Sequence, residues 1–200
     1  MQQTLYAIMA LAATLLLSFN QLQSHTQSYT KLIDDELEVM GSGIARKILE
    51  TSKIMSFDER TTPASWVANG GTEPTVFEFE APGSFGNVPA CDLDEPAKNT
   101  VGCDDIDDLD MGANWQEIPF YFPDGDSLMF EANVRVHYVA DTDLNTPLTG
   151  GLKSEYKLLI VKLRNSVHVS QGRHTNGFIE LSRVFNYNRD LAQERSAASP

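Results

Sequence analysis

An uncharged apolar run occupies residues 5–19, where the sequence is LYAIMALAATLLLSF. Across residues 4–22 the polar side chains are few, and none of them is charged: Thr4, Thr14, Ser18, Asn20 and Gln21. A helix of about 20 predominantly apolar residues is long enough to cross a bilayer. The run therefore predicts a helix whose surface is buried, either in lipid or against other apolar helices.

A secretory signal peptide is the alternative interpretation of this run. Such a peptide has positive charge before the apolar residues and a small-x-small cleavage site after them. Gln2, Gln3 and Thr4 carry no charge, and residues 18–23 (SFNQLQ) contain no such site. We therefore expect an uncleaved, membrane-embedded helix.

The helical pattern continues past the apolar run as an amphipathic stripe. Apolar residues recur every three or four positions with one gap: Tyr29, Ile33, Leu37, Met40, Ile44, Ile48 and Met55. The glycines at 41 and 43 interrupt the pattern and suggest a bend or a close approach of another backbone. A helix over residues 4–57 is roughly 80 Å long. It is too long for a domain of this size to bury alone, so its partner is lipid or other copies of the chain.

The rest of the chain, residues 58–200, predicts a β-rich head. Alternating apolar and polar residues, or short apolar runs, predict strands at 75–80, 118–122, 130–139, 156–163 and 178–186. In the strand over 130–139, Phe130, Ala132, Val134, Val136 and Tyr138 share one face. We expect an α+β fold, in which an antiparallel sheet of about four strands packs on the rear half of the helix that spans residues 1–57. Within that helix, residues 1–22 form the membrane or filament-core segment and residues 23–57 the amphipathic part.

A long irregular segment, residues 82–117, contains both cysteines, Cys91 and Cys103. They enclose a short loop, and in an oxidising compartment they form a disulfide that stabilises the fold by about 2–3 kcal/mol. In a cytosolic protein they would be free thiols instead. The apolar front helix indicates export, so we expect the disulfide.

The same segment is strongly acidic, with the run DDIDDLD over residues 104–110. Crowded carboxylates repel one another unless a cation lies among them, and Ca²⁺ prefers oxygen ligands in a flexible loop. Two interpretations remain open, a solvated acidic surface loop and a calcium site. The calcium hypothesis assigns its ligands to Asp105, Asp107, Asp108 and Asp110.

Composition argues against several classes of function. The net charge is −13, which is unsuited to a nucleic-acid-binding surface, so no nucleic-acid partner is expected. The four histidines show no metal-ligand spacing, and no nucleophile elbow, zinc-protease motif or phosphate-binding loop occurs. We therefore expect a protein that is not an enzyme.

Two segments carry a resemblance to a known family. The first is GIARKILE over residues 43–50 with FDE at 57–59; the second is the strand at 156–163 followed by FIELSRVF at 178–185. With the apolar N-terminal helix and the β-rich head, they make the chain similar to type IV pilins and to pseudopilins of secretion systems. The family usually has a glutamate at the fifth mature position and a short basic leader. This chain has Leu5 and no such leader, so it is either a mature form beginning at Met1 or not processed in that way.

The resemblance implies a subunit of an extracellular type IV pilus-like filament. Such a subunit resides in the bacterial inner membrane as a precursor and then polymerises with copies of itself. The residues assigned to the core of the assembled helices are Leu5, Ile8, Leu11, Leu15, Phe19 and Leu22. Two alternatives remain, a minor pseudopilin and a membrane-anchored ectodomain that binds a ligand or surface. An anchor needs only about 20 apolar residues, and the stripe beyond residue 22 therefore favours the filament.

Overall fold

The computed structural model describes residues 2–62, 65, 68–70, 74–85, 91–94, 103–166 and 179–187, with side chains described at Tyr6 and from Met9 onward. It comprises two compact units, Met1–Met40 and Gly41–Pro200; the second is called the head unit below. The expected α+β class is confirmed, since a long N-terminal helix is followed by an antiparallel sheet of five strands.

Helix α1 covers Gln2–Thr51 without interruption and includes both glycines, where the sequence suggests a bend or a close approach of another backbone. The predicted end near Phe57 is wrong, because a 3-10 turn, Ser52–Ile54, follows α1. The Ser52 hydroxyl donates to the carbonyl of Leu49, and such bonds compete with regular helix. The chain then pairs through Ser56 with Asp105 in a parallel bridge, which replaces further helical hydrogen bonds.

The sheet is built around its longest strand, β2. The strands are β1 Gln116–Tyr121, β2 Ser127–Ala140, β3 Asp143–Pro147, β4 Tyr156–Asn165 and β5 Ile179–Asn186. Their order is β1-β2-β4-β5, and β3 pairs with the end of β2. The predicted alternation of β2 is confirmed, since Phe130, Ala132, Val134, Val136 and Tyr138 are all buried. Strand β4 lies between β2 and β5.

Two predictions about strands are wrong. Residues 75–80 contain the 3-10 turn Val76–Glu78 instead of a strand. Side chains take the backbone donors there, because Glu78 accepts from the amide of Thr75 and Asp58 accepts from the amide of Glu80. Strand β3 lies where the sequence predicts no strand, because all of its residues are exposed and give no apolar alternation. The sheet therefore has five strands where about four were expected.

The rear of α1 packs within the head unit. Its buried residues are Ile44, Ala45, Ile48 and Leu49. Gly41 lies so close to β5 that an added Cβ would collide with Cδ1 of Ile179, and it would lie 3.4 Å from Cε1 of Phe130. An added Cβ at Gly43 would meet nothing within 4 Å. The first glycine therefore allows the close contact between helix and sheet, whereas the second has no packing role.

This difference predicts opposite behaviour for two alanine substitutions. Gly43→Ala is expected to raise the free energy of unfolding by about 0.5–1 kcal/mol, because alanine favours the helix and finds open space. Gly41→Ala is expected to stabilise less or to destabilise, because Ile179 must move. Urea denaturation followed by tryptophan fluorescence measures both. A larger gain for Gly41→Ala than for Gly43→Ala would contradict this account of the packing.

Candidate functional site

The first candidate site is the apolar surface of the front of α1. Four of the six residues assigned to assembly are exposed there, with relative exposures of 63% for Leu11, 62% for Leu15 and 65% for both Phe19 and Leu22. The side chains of the other two, Leu5 and Ile8, lie outside the described part of the chain. We use the name apolar helix surface for the large exposed residues between positions 6 and 22: Tyr6, Met9, Leu11, Leu15, Leu16, Leu17, Phe19 and Leu22.

This surface extends all the way round the helix. Leu15, Leu16 and Leu17 are consecutive, and since each residue of an α-helix is turned by about 100° from the last, they point in three directions. A helix that is apolar on every side is normally buried in a larger apolar assembly. Among the residues whose side chains are described, no helix combines the length and apolar content needed to cross a membrane. That finding differs from the membrane-embedded helix expected at residues 4–22, part of which lies outside the described side chains.

The second candidate site is a buried carboxylate cluster in the head unit, formed by Asp58, Glu80, Asp105 and Asp107 around Lys157. The ammonium of Lys157 donates to the carbonyl of Phe57 at 2.6 Å, to Asp58 Oδ2 at 3.2 Å and to Asp107 Oδ1 at 2.5 Å. The side chains of Lys157, Asp58 and Asp107 are all fully buried. Because buried charges need partners, this ion-paired group fixes three separate segments of the head unit to one another.

Aromatic rings complete the surroundings of Lys157. Its ammonium lies 4.6 Å from the ring centre of Phe57, 5.1 Å from that of Tyr138 and 5.3 Å from that of Phe85. Rings at such distances attract a cation through their electron-rich faces. The Tyr138 hydroxyl donates to Asp58 Oδ2 and to the Glu80 carbonyl, and burial raises the pKa of that hydroxyl. Aromatic rings therefore line the site around the ion-paired Lys157.

Burial changes the proton affinity of two carboxyl groups in the cluster. The pKa of Asp105 is raised to about 10, mainly by loss of solvation and secondly by the negative charge of the neighbouring Asp107. Loss of solvation and the contact with Asp107 raise the pKa of Glu80 to about 7. Each shift opposes ionisation of a carboxyl group that lies beside another carboxylate. Both carboxyl groups therefore hold a proton more tightly than a carboxyl group in water does.

The structure separates the four aspartates of the calcium hypothesis. Asp105 and Asp107 lie in the buried carboxylate cluster, the latter within the 3-10 turn Asp107–Leu109. Asp108 Oδ2 instead accepts from the amides of Asp104 and Asp105. Asp110 Oδ1 accepts from the amide of Gly112 and from Arg135 Nε at 3.1 Å. The last two are therefore engaged in holding their own loop.

Sequence reasoning missed three members of the cluster: Asp58, Glu80 and Lys157. One signal was available, because Lys157 occupies the same face of its strand as the apolar residues Leu159, Val161 and Leu163, all of which are buried. A lysine in that position needs a buried anion as partner. The sequence does not indicate which anion, because Asp58 is 99 positions away.

Cys91 and Cys103 form the predicted disulfide, with their Cα atoms 5.9 Å apart. Both are buried, and Cys91 Sγ lies 3.3 Å from the carbonyl oxygen of Asp108. The disulfide therefore holds the chain around Cys91 beside the 3-10 turn Asp107–Leu109. Residues 95–102 of the enclosed loop lie outside the described part of the chain.

Removing this disulfide is expected to cost about 2–3 kcal/mol of stability, because the unfolded chain regains the entropy of the closed loop. The change is a Cys91→Ser, Cys103→Ser double substitution, and urea denaturation gives the free energy of unfolding. The wild-type chain with excess reductant is the matched control and should behave like the double variant. Equal stability of the oxidised and reduced wild-type proteins would contradict the prediction.

No protein-family model matches the chain, and neither a curated protein nor a solved structure is significantly similar to it.

Proposed function

We propose that this protein is the structural subunit of a type IV pilus-like filament on the bacterial cell surface, which polymerises through its N-terminal helix. The observation that carries the proposal is the apolar helix surface. Its large side chains are more than half exposed on every side of α1. A soluble monomer rarely leaves so long an apolar surface in water.

Burial of this surface against copies of itself favours assembly. A large apolar side chain contributes about 1.5–3 kcal/mol when it moves from full exposure to full burial. Small residues on the same helix, Ala10, Ala12 and Ala13, allow close approach of neighbouring helices. Since the helix is apolar on all sides, it suits the centre of a bundle with several neighbours better than a two-helix contact.

The rear portion of the first unit favours a filament over a simple anchor. Large apolar residues remain exposed beyond the length that a bilayer needs, at Tyr29, Leu32, Ile33 and Val39. Charged residues lie among them, with Asp34, Asp35 and Glu36 in succession. Such an amphipathic stripe is suited to contacts between helices, in which apolar seams are buried and the charged faces remain wet.

The acidic character of the whole chain fits an outward-facing head. The chain's net charge of −13 makes copies repel one another and so opposes unspecific association of the heads. Repeated head-to-tail contacts that do not close into a ring generate an open helix. The resemblance to type IV pilins and pseudopilins supports the same arrangement, with the inner membrane holding the subunit before assembly.

The test is electron microscopy of material sheared from the source cells, with mass spectrometry of the purified fraction. Thin filaments composed mainly of this chain are the expected result. Cells in which the gene is deleted are the control and should lack the filaments. Recovery of the chain only in the membrane fraction, with no filaments, would overturn the proposal in favour of a membrane-anchored ectodomain. Filaments that contain only traces of the chain would indicate a minor pseudopilin instead.

A further inference from the structure

Three carboxyl groups of the buried carboxylate cluster converge on one point in the head unit. Glu80, Asp105 and Asp107 each contribute an oxygen, and these three oxygens all lie within 4.8 Å of one another. Glu80 follows the 3-10 turn Val76–Glu78, whereas the two aspartates belong to the acidic segment. Two segments distant in sequence therefore bring negative charge to the same place, which needs a compensating group.

Two of the oxygens are buried without a partner. Within the described part of the chain, neither Asp105 Oδ2 nor Asp107 Oδ2 accepts a hydrogen bond. Asp105 is 1% exposed and Asp107 is 0% exposed, so bulk water does not reach them. Buried polar atoms are nearly always satisfied by protein, ordered water or an ion. The two unpartnered oxygens thus indicate a group that the described residues do not supply.

Lys157 does not supply it. An ammonium has three N–H donors, and those of Lys157 already point to the Phe57 carbonyl, Asp58 and Asp107 Oδ1. Asp105 uses its Oδ1 to accept from the amides of Asp107 and Asp108, and its Oδ2 has no hydrogen-bond partner among the described residues. Among the described residues, the cluster therefore contains one buried cation, Lys157, and four carboxyl groups.

We propose that Glu80, Asp105 and Asp107 form a Ca²⁺ site. All the ligands are carboxylate oxygens, the donor type that Ca²⁺ selects, and no histidine or cysteine is in the group. Ca²⁺ accepts irregular geometry and completes its shell with water and carbonyl oxygens, whereas Mg²⁺ requires a near-ideal octahedron. Glu80 is half-buried, whereas Asp105 and Asp107 are buried.

A Ca²⁺ ion bound by Glu80, Asp105 and Asp107 explains the arrangement better than one bound by the four aspartates of the sequence-based hypothesis. The ion joins the segment before β1, which carries Asp105 and Asp107, to the segment after α1, which carries Glu80. It acts on the head unit alone, so the site does not depend on polymerisation. The Ca²⁺ site can therefore exist if the filament proposal fails, and the filament can form if the Ca²⁺ proposal fails.

The experiment uses the full-length chain, kept in solution with a mild detergent and first stripped of metal with a chelator. Isothermal titration with CaCl₂ at pH 7.5 is expected to show one binding event per chain. Saturating Ca²⁺ is expected to raise the unfolding midpoint of the head unit by on the order of 5 °C. MgCl₂ at the same concentration is the comparison ion and should produce a clearly smaller shift.

Asp105→Asn and Glu80→Gln are the decisive variants. Neither side chain bonds to Lys157, and asparagine keeps the Oδ1 acceptor of Asp105, so both variants are expected to fold. Each should lose at least tenfold in Ca²⁺ affinity while its midpoint in chelator stays within about 2 °C of wild type. Asp126→Asn removes the same charge from an exposed turn and should bind Ca²⁺ like wild type.

Asp110→Asn separates this ligand set from the one based on sequence alone. It breaks the pair with Arg135 and so lowers the midpoint, yet the Ca²⁺-induced shift should remain. Absence of Ca²⁺ binding by the wild-type chain at millimolar concentration would overturn the proposal and leave shared protons as the means of neutralising the cluster. Wild-type affinity in both Asp105→Asn and Glu80→Gln would overturn it equally.

Discussion

Lys157→Met is expected to destabilise the head unit by about 3–5 kcal/mol, because it removes one partner from a buried ion pair. Methionine fills a similar volume, so little cavity is created. Asp58 and Asp107 lose their only shared cation among the described residues, and the Phe57 carbonyl loses its 2.6 Å donor. The remaining buried charges then have to take up protons or open the fold to water.

The measurement is the free energy of unfolding from urea denaturation, followed by tryptophan fluorescence. Lys162→Met is the matched control, since it makes the same chemical change on the same strand, β4. Lys162 pairs with Glu180 at 3.2 Å, but both side chains are well exposed, so its loss should cost less than about 1 kcal/mol. A cost below about 1 kcal/mol for Lys157→Met as well would show that the cluster is not held together by buried charge.

A second substitution distinguishes lost pairing from lost packing. Adding Asp107→Leu to Lys157→Met removes one unpaired carboxylate, and part of the lost stability should return. Replacement of buried ion pairs by apolar residues is often neutral, because desolvation of the charges is itself costly. If the double variant is as unstable as the sum of the two single variants, the two residues do not interact energetically and the assignment of the pair is wrong.

Patterns within one element were enough to predict much of the fold. The period of the apolar residues identified α1, and alternation identified β2, where Ala132, Val134 and Val136 are all buried. Alternation of apolar residues gives a wrong prediction where side chains, rather than a partner strand, accept the hydrogen bonds of the backbone amides. At the predicted strand over 75–80, Glu78 caps the turn, and strand β3 has no buried residue that could give a pattern.

The site required information that no single segment contains. Acidic residues close in sequence suggested a calcium site, but proximity along the chain is not convergence in space. Asp110 turns away to Arg135, whereas Glu80 reaches the cluster from another segment. The contact between Lys157 and Asp58 spans 99 positions, and only the register of β4 and the turn after α1 brings them together. The composition predicts an acidic chain, but the fold determines which charged side chains lie close together.

Leu15→Asp is expected to abolish filament assembly while leaving the head unit folded. Leu15 is exposed in the subunit and lies within the apolar helix surface. A carboxylate at the centre of an apolar bundle is unfavourable by about 3 kcal/mol. Since every 1.4 kcal/mol is tenfold in an equilibrium constant, each subunit addition becomes roughly 100-fold weaker. Because the contact repeats in every subunit, no part of the filament escapes the penalty.

Gln27→Asp is the matched control on the same helix. Gln27 is exposed and lies seven residues before Asp34, which is about two helical turns, so it lies on a face that already carries charge. Filaments should form with this variant at wild-type abundance, as counted by electron microscopy of sheared material. The urea transition of the head unit should be the same in both variants, which separates failed assembly from failed folding. Normal filaments in the Leu15→Asp variant would mean that the apolar helix surface does not lie in the filament core, and polymerisation through this helix would have to be abandoned.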